Sequence, residues 1–206
     1  RELFAPLVHD LVERDPFFER VPVAREEECV GILAGAYLGG SMLGRRKLAP
    51  HLSPNKTVEG LLTYPVDYEA GRKYPLAVIT HGGPQASDKY GIGSVSAEVQ
   101  VLAGKGYAVL QPNYRGSTGY GDAFLRDMVG HYFQNAHLDV MTGVDELIRR
   151  GVADPDRMVK MGWSGGGHMT NKIITFTDRF KAAASGAGAA NWISMYAESD
   201  IRFQRT

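Results

Sequence analysis

Gly162-Trp163-Ser164-Gly165-Gly166 is the stretch that decides the reading of this chain. It directly follows a short apolar run at residues 158–161 and directly precedes a helix-like run at 168–177. Strand, sharp turn and helix form the setting in which a G-x-S-x-G pattern presents a nucleophilic serine, because the turn holds that serine at a strained backbone position with its hydroxyl exposed. Residues two before and two after the serine must be small, or the helix cannot pack back against the strand; Gly162 and Gly166 meet that demand. Taken alone, five residues could also be a glycine-rich turn before an ordinary helix, so the flanking strand and helix carry much of the weight.

The surrounding pattern supports the same setting. A strand is expected at 58–63, and Leu76-Ala77-Val78-Ile79-Thr80 is a compact apolar run suited to a strand buried on both faces. A helix is expected at 95–105 and the next strand at 107–110. Val140, Val144, Leu147 and Ile148 share one face of a helix that Gly151 would stop. Met169, Ile173 and Phe176 share a face of the helix after Ser164; a strand candidate at 182–185 and a short helix at 191–198 follow. Strands alternating with helices mean a parallel sheet with covered faces.

Composition limits the alternatives. A chain of 206 residues suits one sizeable domain, with or without an appendage. Lys+Arg and Asp+Glu both number 23, so the net charge is zero and no nucleic-acid partner is indicated. The basic cluster Arg45-Arg46-Lys47 reads as a solvated turn. The single cysteine, Cys29, cannot form an internal disulfide and reads as a buried structural thiol, which leaves cytoplasm and periplasm both open for a soluble protein. The chain starts at Arg1 rather than Met, as expected if something was removed or if it is a piece of a longer protein. From Cys29 to Gly44 there is no charge, but the stretch is shorter than the about 20 residues a membrane helix needs. With glycines at 31, 35, 39, 40 and 44 it reads as buried core, against the weaker reading of a membrane anchor.

In a parallel sheet the ligand site lies beyond the carboxyl ends of the strands. Ser164 sits at one such end, and His81-Gly82-Gly83-Pro84 sits at another, just after Thr80. Acyl transfer from a serine needs N–H donors aimed at the developing oxyanion. One comes from the residue after the nucleophile, here Gly165, and the other from an HGG-type loop after an earlier strand. Loss of one such donor costs about 3–4 kcal/mol of transition-state stabilisation.

His81-Gly82-Gly83-Pro84, Asn113-Tyr114-Arg115-Gly116-Ser117-Thr118-Gly119-Tyr120-Gly121 and Gly162-Trp163-Ser164-Gly165-Gly166-Gly167, in that order, resemble the catalytic domain of the prolyl oligopeptidase family, in particular its acylaminoacyl-peptidase and dipeptidyl-peptidase-like branches. The similarity extends to Glu59-Gly60-Leu61-Leu62, Asp154-Pro155-Asp156-Arg157 and Asp178-Arg179-Phe180-Lys181-Ala182-Ala183, and runs from about Lys56 to the end. The resemblance implies an α/β-hydrolase fold (a mostly parallel sheet covered by helices) and hydrolysis of peptide, acyl-peptide or ester bonds through an acyl-enzyme, without a metal or organic cofactor. It implies Ser164 as nucleophile, the N–H groups of Gly83 and Gly165 as oxyanion hole, and Trp192 and Tyr196 as lining of an apolar substrate pocket. For these two aromatics core packing is an equal alternative, and a structural ion pair accounts for Arg115 as well as any catalytic role would.

Two departures from the family pattern stand out. Where the family often has a bulky aromatic after the nucleophile, this chain has Gly165. Triad order in this fold is Ser, acid, His, yet the only histidine after Ser164 is His168, four residues on, and Asp178 and Asp200 fit the acid position poorly. In the family the acid and histidine lie beyond the point where Thr206 ends this sequence. The expectation is therefore an α/β-hydrolase fold lacking its C-terminal strands: residues 56–206 form the N-terminal portion of a catalytic domain, and residues 1–55 are an unassigned lead-in. A longer natural protein, or another chain in an oligomer, would complete it. His81 belongs to the oxyanion loop, His131 and His137 precede a helix away from the motif, and His9 and His51 lie in the lead-in, so none is a strong substitute base.

A carboxylesterase would use the same elbow and loop, and a non-catalytic binding or assembly fragment would account for the missing triad members. A metal hydrolase lacks H-E-x-x-H spacing. A nucleotide-binding domain finds only Gly91-x-Gly93, with no third glycine and no G-K-[ST] loop.

Overall fold

The computed structural model describes residues 46–47, 51–53, 56–83, 85–89, 97–130 and 133–200. Cys29 to Gly44, the Gly91-x-Gly93 pattern, His9 and His131 lie outside the described residues. The strands are β1 (Arg46–Lys47), β2 (His51–Ser53), β3 (Lys56–Thr63), β4 (Tyr74–Thr80), β5 (Ala108–Asn113), β6 (Ala153–Trp163) and β7 (Ala182–Gly186). The helices are α1 (Ala97–Gly104), α2 (Asp122–Arg126), α3 (Ala136–Arg149), α4 (Gly165–Phe176) and α5 (Trp192–Glu198).

The sheet order is β1-β3-β5-β4-β6-β7, with β2 pairing off this path onto β3. Strands β5, β4, β6 and β7 run parallel. β3 is antiparallel to β5, and β1 and β2 are antiparallel to β3. The parallel sheet is thus extended on one side by antiparallel strands, two of them from the segment expected to be a lead-in. Hydrophobic alternation sets a strand's faces but not its direction, which is why β3 did not announce itself as antiparallel.

All seven residues of β4 are buried, as its unbroken apolar run requires for a strand covered on both sides. Leu76 and Val78 face one core, with Leu110, Met158, Val140, Val144, Leu147, Met169 and Ile173 from the neighbouring strands and from α3 and α4. Ala77 and Ile79 face the other, with Val109, Met161 and, from α1, Val99 and Leu102. α3 buries Val140, Val144 and Leu147 as their spacing predicts, and it stops at Gly151, whose φ of 72° suits glycine. His137 lies inside α3 rather than before it. In α4, Met169 and Ile173 point inward, but Phe176 at the helix end is 64% exposed, its ring 4.6 Å from that of His137. No described helix is long and apolar enough to cross a membrane.

The chain passes from β4 through α1 to β5 on one side of β4, then through α3 to β6 on the other. The direction of winding therefore reverses at the carboxyl end of β4, where open α/β sheets make their ligand crevice.

One buried ion pair ties the loop after β5 to α3. Arg115 Nη2 and Nε donate to Asp139 Oδ1 and Oδ2 at 2.7 and 2.8 Å, and the Arg115 N–H donates to Oδ2 at 2.8 Å. Asp139 is fully buried. Asp139→Ala would remove three hydrogen bonds from Arg115 and leave only Asp127 Oδ1, 3.4 Å from Nη1, as counter-ion, so denaturant unfolding is expected to show a loss of about 3 kcal/mol; a change within about 0.5 kcal/mol would contradict this account of the pair.

Candidate active site

Ser164 occupies the turn between β6 and α4 with φ 57° and ψ −120°, a conformation that costs a non-glycine residue about 1–3 kcal/mol. Its backbone is held from both sides: its N–H donates to Gly186 O at 2.9 Å, and its carbonyl accepts the His168 N–H at 3.0 Å. The side chain is exposed. The small residues around it are obligatory. A Cβ on Gly162 would strike the Gly166 carbonyl, and one on Gly166 would strike the Thr80 carbonyl at the end of β4. A Cβ on Gly167 would strike the Gly186 carbonyl as well, so the helix can start here only because its first residues carry no side chain.

The same closeness brings the two expected oxyanion donors together. A Cβ on Gly165 would lie 2.8 Å from Gly83 O and 3.1 Å from Gly83 N, so the backbones of these two residues are in contact. The departure at Gly165 thus has a local reason, since a side chain there would displace the loop. As first residue of α4, Gly165 carries one of the N–H groups that have no partner within the helix. Gly83 has φ 116°, which L side chains rarely adopt.

His81 orients that loop. Its Nδ1 lies 2.8 Å from Gly82 O, and a carbonyl only accepts, so Nδ1 donates. The Gly82 carbonyl and the Gly83 N–H belong to one planar peptide and point in opposite directions. Holding the carbonyl therefore fixes where the N–H aims. The ring stacks on Tyr114 at 4.5 Å, the Tyr114 hydroxyl donates to His81 O at 2.8 Å, and His81 Nε2 meets Ser117 Oγ at 2.9 Å. Burial favours the neutral ring and pushes the His81 pKa below its usual 6.5, an effect that the bond to Gly82 offsets in part. The Asn113 to Gly121 motif is in this way a brace: Asn113 Nδ2 donates to Tyr120 Oη and Tyr120 Oη to Glu59, both at 2.8 Å. Burial, with the Glu59 bond, pushes Tyr120 up to about 12. Arg115, paired with Asp139, belongs to the brace as well.

His168 is not placed as a base by its contacts. Its Nδ1 donates to Ala189 O at 2.6 Å, and its ring lies 5.2 Å from Phe133 and 5.1 Å from Trp192. It links the nucleophile helix to the loop before α5. Trp192 is 37% exposed and Tyr196 60% exposed. The depression beside them is lined by residues including Ala187, Asn191, Met195 and Glu198, but by neither aromatic. Asp178 and Asp200 are both exposed, the first just beyond the end of α4.

One buried group escaped the reading of the sequence. Lys160, inside the run taken as apolar, is fully buried. Its strand parity with Met158 sends it to the same core face, and that parity was the available signal.

The prolyl oligopeptidase family model matches residues 93–206, more than half of the chain. The chain belongs to the prolyl oligopeptidase family. It is 45% identical over 147 residues to the uncharacterized peptidase YuxL of Bacillus subtilis, covering 71% of this chain and 22% of that protein. An acylaminoacyl peptidase of Pyrococcus horikoshii superposes with a TM-score of 0.72 at 30% identity, over 83% of this chain and 27% of its own. An acylaminoacyl peptidase solved in complex with Z-Gly-Gly-Phe-chloromethyl ketone gives a TM-score of 0.69 at 33% identity, over 77% and 25%. The fold is accordingly that of the α/β-hydrolases in this family. The chain spans about a fifth of the length of the curated relatives it matches. A second, short match, to the cytidylyltransferase family model, covers residues 34–63. It overlaps β3 but falls mostly outside the described residues.

The peptide-orienting bond is testable in the natural protein. His81→Phe keeps an aromatic ring over Tyr114 and removes the Nδ1 donor; kcat for peptide hydrolysis is expected to fall about 10–100-fold with KM within about threefold, a fraction of the loss caused by deleting a donor outright. An unchanged kcat would contradict the assigned role of Nδ1.

Proposed function

We propose that the natural protein is a serine peptidase in which Ser164 Oγ attacks the scissile carbonyl. The single observation that carries this reading is the strained, exposed Ser164, with the Gly83 backbone packed against Gly165 beside it. As the carbonyl carbon becomes tetrahedral, its oxygen gains negative charge. The N–H groups of Gly83 and Gly165 receive that charge, which they can do without reorganising because β4, β6 and the His81 brace already hold them. The amine leaves, the acyl group stays on Oγ, and water completes the cycle. Trp192 and Tyr196, both partly exposed on α5, supply the apolar surface for a substrate side chain on this reading.

The base that takes the Ser164 proton, and the acid that orients it, come from outside the described residues. Both ring nitrogens of His81 are bonded elsewhere, and His168 Nδ1 is engaged by Ala189. On this reading residues 56–206 carry the N-terminal portion of a catalytic domain, to whose sheet Arg46–Lys47 and His51–Ser53 add β1 and β2.

The discriminating assay offers the natural protein an acyl-peptide anilide and, separately, a p-nitrophenyl ester. Anilide hydrolysis that Ser164→Ala lowers by about 10⁴-fold or more is expected. Ester hydrolysis without anilide hydrolysis would favour a carboxylesterase, and activity on either substrate that survives Ser164→Ala would remove the serine mechanism.

A further inference from the structure

Lys160 is the one buried cation of the described sheet core for which the reaction above has no use. Its Nζ has three oxygen partners: Met161 O at 2.6 Å, Thr80 Oγ1 at 2.7 Å and Thr170 Oγ1 at 3.0 Å. Thr80 Oγ1 donates to Gly166 O at 3.1 Å and Thr170 Oγ1 donates to the same oxygen at 2.9 Å. Each hydroxyl has one proton, and both protons are used on Gly166 O. Both hydroxyls must therefore accept from Nζ, and Met161 O can only accept. All three donors of an ammonium are thereby satisfied, with no carboxylate paired to it among the described residues.

Packing does not call for a lysine here. Burial alone pushes its pKa well below the usual 10.5, so a charge at this position carries a desolvation cost. A methionine of similar length would fill the space without that cost, and replacing buried charge by a well-packed apolar group is often neutral or stabilising. What only the lysine supplies is three directed bonds, and they converge on a particular place. Thr80 is the last residue of β4, from which residues 81–83 continue as the oxyanion loop. Gly166 and Thr170 are in the first turns of α4, and Gly166 follows Gly165 directly. One donor of the oxyanion hole is attached to β4 and the other to α4, and the amine joins those two elements.

We propose that Lys160 is a positioning residue for catalysis, which locks the carbonyl end of β4 to the start of α4 and so fixes the separation of the Gly83 and Gly165 N–H groups. The proposal rests on the serine-peptidase reading above. Its effect belongs to the transition state, because the substrate carbonyl binds before the oxyanion exists and gains little from exact donor spacing.

The test uses Lys160→Met in the natural full-length protein, with active sites counted by fluorophosphonate labelling so that kcat is expressed per reactive Ser164. The expected result is an unchanged or raised melting temperature, kcat lower by about tenfold or more, and KM within about threefold. A purely structural lysine would give the reverse: a lower melting temperature with kcat per labelled serine within about twofold of the parent, which would overturn the proposal. If Lys160→Met does not fold, Thr170→Val removes one hydroxyl link at nearly constant shape; a kcat loss of about threefold or more is expected, and an unchanged kcat overturns the proposal equally. A parent protein that takes no label at Ser164 overturns the serine mechanism and this inference with it, whereas a labelled parent with an unaffected variant overturns this inference alone.

Discussion

The contact between Gly166 and the carbonyl end of β4 is the constraint on which the site depends. Because no side chain intervenes, α4 starts almost against the Thr80 carbonyl, and β6 must turn sharply to feed it. That turn forces Ser164 into its positive-φ conformation and leaves its side chain exposed. It also places Gly165 against the Gly83 backbone. The Ser164 conformation and the Gly83–Gly165 contact are consequences of one close approach, and the local strain is sustained by the packed sheet beneath it.

Around this contact the motifs divide the labour. The HGG loop supplies a peptide whose carbonyl is held by His81, so that the direction of its N–H is fixed as well. The segment from Asn113 to Gly121 acts as a brace. It stacks Tyr114 on His81, meets the same ring again through Ser117 Oγ, and is anchored to α3 by the Arg115–Asp139 pair. An anchored loop costs little further ordering when substrate binds, which is the physical benefit of preorganisation. β7 takes part through Gly186, whose carbonyl holds the Ser164 N–H.

Much of this was legible in the sequence, for identifiable reasons. β4 showed as an unbroken apolar run because it is covered on both faces, and α3 showed through Val140, Val144 and Leu147 because one stripe meets the core. The elbow and the HGG loop were legible because bare backbone is a requirement that only glycine meets. The antiparallel direction of β3 was hidden, since alternation carries no direction. α2, five residues from Asp122 to Arg126, is too short for periodicity to register. The His81–Ser117 bond joins positions 36 apart, and only the sheet order brings them together. Lys160 was passed over because the run around it was read as apolar, and its burial is settled by β6 lying between β4 and β7.

The central claim is that Ser164, Gly83 and Gly165 surround one point where an oxyanion forms. A crystal structure of the natural protein after fluorophosphonate treatment tests it most directly. The account predicts phosphorus bonded to Ser164 Oγ, with the phosphonyl oxygen about 2.7–3.1 Å from both the Gly83 and Gly165 nitrogens. A phosphonyl oxygen turned to solvent, or held by other donors, would contradict it.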